Sequence, residues 1–431
     1  MRILVLRKFR LAYGVSVCLC ALVNGGSIAS ARVTGEAPKL HVCLPNTYGA
    51  SADGLTDDTH AFQAAVDACA AHGGGTVRLQ HGKFLTGPVL LRSNISLQID
   101  ADATLLGSQK IEDYPILAGG DRRQALIASS NAVNVRIIGA GTIDGQGAPW
   151  WSVHKSDKKA GRERKPRPWL IDLFKTRHIL VEGITLKNSP EYNLVIRSST
   201  DAIVRRIRIV NPPDAANTDG IDPYSSHHVL IEGVVIDTGD DDISIKSGLP
   251  EAGQAREVCS DIVIRNSTFL HGHGLSIGSE TTGGVRNVLA ENIHFIGTTN
   301  GIRIKSNRGR GNLIENALYR NITMENVERP IVITEYYLGG PPKNDAEHPV
   351  DKDTPHFTGF EIDHLTATGG GEAGMIVGLP ESTIRKVTLR NVTIHAQTGL
   401  TVRNADLATD HLTVVPVEGV AIIKEEGAQI Q

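Results

Sequence analysis

The feature that most constrains the fold is a repeated motif of two short alternating apolar stretches joined by a small residue or an asparagine. The segment Ile262–Phe269 is one copy, with Asn266 at its centre. The steps between the centres of successive copies are 23, 27, 33, 26, 29, 43 and 27 residues. The eight central residues are Gly183, Arg206, Gly233, Asn266, Asn292, Asn321, His364 and Asn391.

Short alternating strands that recur every 20 to 50 residues indicate a solenoid or a propeller. Most of the steps are too short for the four strands of a propeller blade, and the periodic leucines and helices of a leucine-rich repeat are not seen. We therefore predict an all-β chain, a parallel β-helix with three short strands per coil and coils about 4.8 Å apart. The low aromatic content of 4% and the 45 glycines suit a core of stacked Ile, Val and Leu.

A solenoid needs a covered end, and residues 57–72 have the pattern of a capping helix. Asp57, Asp58 and Thr59 are suited to its N-cap, an apolar stripe that includes Phe62 follows, and the glycines from Gly73 end it. The 43-residue step contains a loop at 336–355 that is rich in Gly, Pro and charge. No linker interrupts residues 32–431, which we interpret as one domain.

Residues 1–31 have the three parts of a cleavable signal peptide: a basic start, the apolar stretch Leu11–Val23 and a small-residue site that ends at Ala31. We therefore predict a secreted or periplasmic protein that is monomeric and has no membrane span. Cleavage would remove four basic residues and no acidic ones, so the formal net charge would change from −3 to −7. This charge argues against a nucleic-acid partner, and a polyanionic substrate would need a local basic patch.

Three cysteines remain after residue 31, and an odd number leaves at most one disulfide. We favour the pair Cys43–Cys69, because both residues lie near the N-terminus, with Cys259 free and buried. Spacing alone does not fix a pairing, so the other pairings stay open.

Residues 155–167 form a charged run with seven basic and two acidic residues. Such runs are usually solvated surface loops, and that is our interpretation. Guidance of a polyanionic chain toward a cleft is the alternative.

Four polar motifs recur at intervals of about one coil. The intervals from Asp219 to Asp240, to His273 and to Arg303 are 21, 33 and 30 residues. Each motif alone is also an ordinary turn sequence, but in a β-helix all four would lie together on one face. They are Asn217–Gly220, Gly239–Asp241, Gly272–Gly274 and Arg303–Lys305.

The predicted patch has the chemistry of glycoside hydrolysis. Asp219, Asp240 and Asp241 can provide an acid for the leaving oxygen and a carboxylate for water, and their crowding should raise at least one pKa. Arg303 and Lys305 should both point out of the core and bind a sugar carboxylate. A calcium site is the alternative for the carboxylates, but two neighbouring cations argue against it.

These motifs resemble those of the polygalacturonases of glycoside hydrolase family 28, in particular the bacterial ones. The resemblance covers nearly all of the chain after residue 31. The segments that carry it are Gly139–Gly147, Trp150–Trp151, Asn217–Pro223, Thr238–Asp241, Gly272–Glu280 and Asn300–Lys305.

The resemblance implies a right-handed, pectin-lyase-like β-helix and inverting hydrolysis of α-1,4-galacturonan without a metal or another cofactor. A tyrosine about thirty residues past Lys305 is also implied; Tyr336 and Tyr337 both qualify, and we take Tyr337 as the candidate. The resemblance implies that Asp240 is the general acid, tuned by His273, and that Asp219 and Asp241 hold the water and share the general-base role. It also implies that Arg303 and Lys305 bind a galacturonate carboxylate and that Asn217 supports the site.

The sequence departs from the family pattern at Asp242, where cysteine is common, and we predict a structural role for this residue. We favour endo-cleavage, because no large insertion looks able to block the groove. The alternatives are an exo-acting enzyme that releases mono- or digalacturonate, a rhamnogalacturonan hydrolase, a pectate lyase with Ca²⁺ and an arginine base, and a non-catalytic adhesin.

Overall fold

The computed structural model describes residues 41–119, 122–163, 165–249 and 256–431, which belong to one compact unit. The predicted signal peptide lies outside the described residues, so its cleavage and the domain limits stay predictions. In the described part of the chain, no helix has the length and apolar character needed to cross a membrane.

The described residues contain two α-helices, α1 (Thr59–Ala71) and α2 (Ala148–Lys159), and two short 3₁₀ helices, Pro45–Tyr48 and Ile111–Asp113. Their strands, in chain order, are β1 (Val42–Cys43), β2 (Asp53–Asp57), β3 (Gly75–Thr86), β4 (Val89–Leu91), β5 (Ile95–Gly107), β6 (Ile127–Ser130), β7 (Val133–Gly139), β8 (Thr142–Asp144), β9 (Ile171–Phe174), β10 (Arg177–Glu182), β11 (Thr185–Lys187), β12 (Leu194–Arg197), β13 (Thr200–Arg205), β14 (Arg208–Val210), β15 (Ile221–Tyr224), β16 (His227–Glu232), β17 (Val235–Asp237), β18 (Ile243–Ile245), β19 (Cys259–Phe269), β20 (Leu275–Ile277), β21 (Val285–Ile296), β22 (Asn300–Lys305), β23 (Leu313–Glu325), β24 (Arg329–Thr334), β25 (His356–Val377), β26 (Ile384–Arg403), β27 (Ala405–Pro416), β28 (Ile422–Lys424) and β29 (Gln429–Ile430).

The strands pair in parallel along three ladders, and together they wind a right-handed parallel β-helix, as predicted. The first ladder includes β7, β10, β13 and β16, and the second includes β8, β11, β14 and β17. The third ladder runs through β4, β6, β9, β12, β15, β18, β20, β22 and β24. The long strands β19, β21 and β23 bend to serve both the first and the second ladder.

The register of the first ladder confirms the repeat read from the sequence. Ile179 pairs with Ala202, Ala202 with Val229 and Val229 with Ile262, which reproduces the steps of 23, 27 and 33 residues. All eight central residues of the motif adopt the left-handed conformation, with φ between 52° and 78°. Asparagine and glycine tolerate this conformation best, which explains why they dominate the turn between the first and the second ladder.

The interior of the coils is a continuous stack of Ile, Val and Leu side chains. Helix α1 lies within the predicted segment, and its buried side, which includes Phe62 and Val66, joins this core. The disulfide Cys43–Cys69 is confirmed, and Cys259 is free and buried, as predicted. The capping role of α1 stays a prediction.

Two segments outside the core bear on the predictions, an unexpected helix and the predicted loop at 336–355. The basic run at 155–167 was interpreted as a loop, but its first five residues belong to helix α2, which the sequence analysis missed. The loop at 336–355 is anchored by Arg308, which forms ion pairs with Asp345 and Glu381. The hydroxyl of Tyr336 donates a hydrogen bond to Asp345 at 2.6 Å and ties the start of this loop to the same anchor.

Candidate active site

The candidate site lies at the corner of the coils that leads into the third ladder. Asp219 and Asp241 stand two residues before Ile221 and Ile243, which pair with each other, and His273 stands two residues before Leu275. Because register partners lie on consecutive coils about 4.8 Å apart, these side chains are stacked along one edge. The motif at Arg303 follows on the next coil, where Leu275 pairs with Ile302. The prediction that the four motifs meet is therefore confirmed.

Asp240 is the most accessible of the three central carboxylates. Its side chain is 22% exposed, against 5% for Asp219 and 3% for Asp241. Nδ1 of His273 lies 3.0 Å from Oδ1 of Asp240, and the amide of Asn217 donates to Oδ2 at 3.3 Å. Burial alone would raise the pKa of Asp240, but the hydrogen bond and charge of His273, with the charges of Lys305 and Lys246, lower it.

Asp241 is buried and surrounded by donors. Nζ of Lys305 lies 2.7 Å from Oδ2, and Nη1 of Arg303 lies 3.3 Å from Oδ1. The hydroxyls of Ser276 and Ser244 donate to Oδ1 and Oδ2 at 2.8 and 3.2 Å. Burial opposes the ionisation of Asp241, but the charges of Lys305 and Arg303 outweigh it and lower its pKa.

The expected orientation of the Arg303–Lys305 motif is only partly correct. Ile304 points into the core and is fully buried, as alternation requires. Lys305 points out of the core toward Asp241, as predicted, but it is not accessible as we expected: the residue is 3% exposed and lies beneath the site. The carboxylate of Asp241 holds its ammonium there, whereas the Arg303 side chain remains 17% exposed.

Asp219 has a buried lysine that the sequence analysis missed. Nζ of Lys246 lies 2.8 Å from Oδ2 of Asp219 and 2.9 Å from Oδ2 of Asp222. Burial raises the pKa of Asp219 well above its usual range and that of Asp222 to about 7, while the charge of Lys246 acts in the opposite direction on both. No spacing signal could have found Lys246, because it follows strand β18 and reaches back to the preceding coil.

The expectation that crowding raises a pKa is met at Asp219, not at Asp240. Repulsion from Asp222, Asp240 and Asp241 adds to the effect of burial on the pKa of Asp219. Asp242 is fully buried and accepts a hydrogen bond from the backbone N–H of Gly274 at 3.0 Å, and its burial raises its pKa well above the usual range. This position suits the structural role predicted for Asp242.

The two adjacent tyrosines have different surroundings: Tyr337 lies at the candidate site, and Tyr336 lies at the anchor of the loop at 336–355. The ring of Tyr337, which is 36% exposed, lies 5.1 Å from Nζ of Lys305 and 5.7 Å from the guanidinium carbon of Arg303. Tyr336 is 7% exposed and contacts Arg308 and Arg403 instead. The structure therefore brings Tyr337 to the candidate site.

Two further groups that the sequence analysis did not place border the site on the side of the earlier coils. Arg167, the last residue of the basic run, is buried and donates to Oδ1 of Asn217 at 2.8 Å. The rings of Trp169 and Tyr192 are stacked 5.2 Å apart, and Nζ of Lys246 lies 4.0 Å from the Tyr192 ring. These residues come from separate coils, so their proximity is a property of the folded chain.

Asp240, Asp241 and His273 also satisfy the geometry of a metal site, since one ligand atom from each lies within 4.8 Å of the others. The surrounding charges do not favour a cation. Lys305 and Arg303 already bind Asp241, and a divalent ion would have to compete with both. The cluster is better suited to an anionic ligand that approaches these cations.

Stacked carboxylates beside cations, on one edge of a parallel β-helix, are suited to the acid- and base-assisted chemistry of a glycoside hydrolase. The family described as Glycosyl hydrolases family 28 matches residues 69–409. The chain therefore belongs to this family and is a glycoside hydrolase.

Individual relatives agree with this assignment. A probable polygalacturonase from Vitis vinifera is 34% identical over 88% of this chain and 81% of its own length. An endo-polygalacturonase from Pectobacterium carotovorum subsp. carotovorum is 34% identical over 75% of this chain and 82% of its own. A solved exopolygalacturonase from Thermotoga maritima has a TM-score of 0.76 and 27% identity, covering 90% of this chain and 93% of its own. A solved polygalacturonase from Erwinia carotovora ssp. carotovora has a TM-score of 0.74 and 29% identity, and the match covers 88% of this chain and 100% of the other.

Proposed function

We propose that this protein is a polygalacturonase that hydrolyses α-1,4-galacturonosidic bonds by a single inverting displacement without a metal ion. The observation that supports this most is the meeting of Asp219, Asp240 and Asp241 with Arg303 and Lys305 on consecutive coils. Relatives named polygalacturonases supply the substrate class.

In this mechanism Asp240 is the general acid. It is the carboxyl that reaches solvent, so it can approach the glycosidic oxygen of a bound chain. Its pKa is lowered by the cationic groups around it, which is unfavourable for an acid in the free enzyme. A galacturonate carboxylate bound beside these cations would offset their charge and raise the pKa of Asp240, so the acid would gain its proton together with its substrate.

Asp219 and Asp241 hold the attacking water and supply the general base. Both are less exposed than Asp240, which supports a mechanism with the water below the sugar and the acid at the opening of the cleft. Inverting glycosidases need their acid and base carboxyls on opposite sides of the scissile bond with room for one water. His273 tunes Asp240, and Asn217 supports it from the other oxygen.

Arg303 and Tyr337 form the accessible part of the substrate-binding surface. The Arg303 side chain is 17% exposed and can bind a galacturonate carboxylate, and Tyr337 presents a 36% exposed ring beside it. Lys305 acts from below through its charge and its bond to Asp241. Because these cations already compensate the carboxylates, catalysis should not require a metal.

Endo-cleavage is our preferred pattern, and exo-cleavage is the second candidate. A time course on de-esterified polygalacturonate, in the presence of a chelator, should follow viscosity and reducing ends together. A rapid fall in viscosity with few reducing ends supports endo-hydrolysis, and mono- or digalacturonate from the first time points supports exo-hydrolysis. A product whose new end is first the β-anomer supports inversion.

The same time course, run with and without the chelator, can overturn the proposal. An unsaturated product, formed only without chelator, would indicate a lyase, and binding without any reducing ends would indicate an adhesin. Rhamnogalacturonan should be tested in parallel, because cleavage of that polymer alone would change the substrate class. N-terminal sequencing of the exported protein tests the proposed secretion and cleavage after Ala31.

A further inference from the structure

The two carboxylates assigned to the water differ in how their oxygens are occupied. Asp241 accepts four hydrogen bonds, from Ser276 and Arg303 at Oδ1 and from Lys305 and Ser244 at Oδ2. An ionised carboxylate offers about four acceptor positions. Asp241 therefore has little capacity left to accept a proton or a hydrogen bond from water.

Only one of the two carboxylate oxygens of Asp219 accepts a hydrogen bond from the residues that the structure describes. Lys246 donates to its Oδ2 at 2.8 Å, and no residue that the structure describes donates a hydrogen bond to its Oδ1. The side chain is 5% exposed, so it lies at the bottom of the corner beside Asp240. One oxygen is thus fixed by a charged donor while the other remains able to accept from water.

Lys246 is held in place from three sides. Its ammonium contacts Asp219, Asp222 and the ring of Tyr192, and its side chain is 4% exposed. Glu280 is a further acidic neighbour that acts on it through charge. A buried ammonium so confined cannot move to serve the substrate, so its influence on the reaction passes through Asp219.

We propose that Asp219 alone accepts the proton of the attacking water, and that Lys246, balanced by Asp222, is the positioning residue that fixes Oδ2 of Asp219 and favours its ionised form. This inference rests on the proposed function and narrows its shared general base to one carboxylate. In the step, the water oxygen bonds to the anomeric carbon as the glycosidic bond breaks. Oδ1 of Asp219 takes a proton from the water, and Asp240 gives its proton to the leaving oxygen. Asp241 remains an anchored negative charge.

The two carboxylates differ in their electrostatic surroundings as well as in their hydrogen bonds. The cations beside Asp241 lower its pKa, whereas burial raises that of Asp219. A strongly stabilised carboxylate is a poor base, and an isolated buried one would keep its proton. The charge of Lys246 opposes the effect of burial and lowers the pKa of Asp219 from the value that burial alone would give.

The first test is Lys246→Met, which removes the ammonium and keeps the side-chain length. We expect kcat to fall roughly 100-fold or more, the scale of a lost general base, with KM nearly unchanged. The acid limb of the pH profile of kcat/KM should move to higher pH, because Asp219 would hold its proton more tightly. An unshifted acid limb would contradict the proposal.

Because this change leaves two buried carboxyls unpaired, the double variant Lys246→Met/Asp222→Asn is the matched control. It removes one negative and one positive charge together, so it should recover the melting temperature but not kcat. The acid limb should return only in part, because the charge of Asp222 itself raises the pKa of Asp219. Recovery of wild-type kcat would show that the pair is only structural. If the double variant remains unstable, Lys246→Arg tests the proposal instead. This variant keeps the positive charge, so its acid limb should match that of the wild type. A shift like that of Lys246→Met would overturn the proposal.

Azide separates the two carboxylates directly, since it attacks without needing a base. Azide should restore turnover, with a glycosyl azide product, to Asp219→Gly and not to Asp241→Gly. Rescue of Asp241→Gly alone would assign the base to Asp241. Release of reducing ends by the wild type keeps the proposed function in either case, so the two proposals fail separately.

Discussion

Lys305 and Asp241 form a buried ion pair of 2.7 Å across coils, between residues that are 64 positions apart in the chain. The lysine was selected as a substrate ligand, yet it is covered by its carboxylate partner. The accessible cation of the motif is Arg303, and the buried one maintains the site beneath it.

Lys305→Ala should therefore reduce stability as well as activity. Breaking a buried pair costs about 3 kcal/mol or more, because the remaining charge is left under-compensated. Thermal unfolding and steady-state kinetics on polygalacturonate measure both effects. Lys187→Ala is the control, since Lys187 pairs with Asp144 at 3.3 Å but is 41% exposed and should cost less than about 1 kcal/mol. Equal melting temperatures for the Lys305 variant and the wild type would contradict this view.

Asp240→Asn should abolish most turnover and leave substrate binding largely intact, because an amide cannot give a proton to the leaving oxygen. A loss of roughly 100- to 10,000-fold in kcat is expected. Asp237→Asn is a matched control, since Asp237 also pairs with a histidine, His271 at 2.8 Å, but ends strand β17 in the second ladder. Near-wild-type kcat for the Asp240 variant would remove this residue from the role of acid.

The pH dependence should differ between the free and the substrate-bound enzyme. His273, Lys305 and Lys246 lower the pKa of Asp240 against the effect of burial. A bound polyuronate adds negative charge and should raise this pKa, so the acid stays protonated to higher pH. The alkaline limb of kcat should therefore lie about one pH unit or more above that of kcat/KM. Coincident limbs would show that substrate charge does not activate the acid.

The two neighbouring tyrosines should respond differently to substitution. Tyr337→Ala removes an exposed ring beside Arg303 and Lys305, so KM should rise several-fold with little change in melting temperature. Tyr336→Phe removes the hydroxyl bonded to Asp345, and it should loosen the loop at 336–355 with a smaller effect on KM. Limited proteolysis reports on the loop. The reverse pattern would mean that Tyr336 serves the site.

The disulfide Cys43–Cys69 should stabilise the N-terminal coil without taking part in catalysis. It closes a loop of 26 residues, for which chain entropy gives about 3.5 kcal/mol. Cys43→Ser/Cys69→Ser should therefore lower the melting temperature and keep kcat at low temperature. Cys259→Ser tests the free, buried cysteine separately. An unchanged melting temperature in the double variant would argue against the stabilising role.

The sequence predicts most of the architecture because every coil of a β-helix obeys the same geometric constraints. Strand spacing is fixed, so each coil must return to the same register, and each left-handed corner favours asparagine or glycine. The side chains of Asn266, Asn292 and Asn321 even bond to one another in a ladder, at 3.0 and 3.1 Å. The same constraints predict from the sequence that Asp219, Asp241 and His273 lie together.

The identity of the partner of each site residue was decided only by the tertiary structure. Lys246 lies 27 positions from Asp219 and carries no local signal, and the burial of Lys305 depends on Asp241 of another coil. Alternation along a strand determines which face a side chain leaves from, but not whether a neighbouring coil covers it. Exposure, pKa and hydrogen bonding depend on those neighbours, so the sequence located the carboxylates and the fold gave each its separate chemistry.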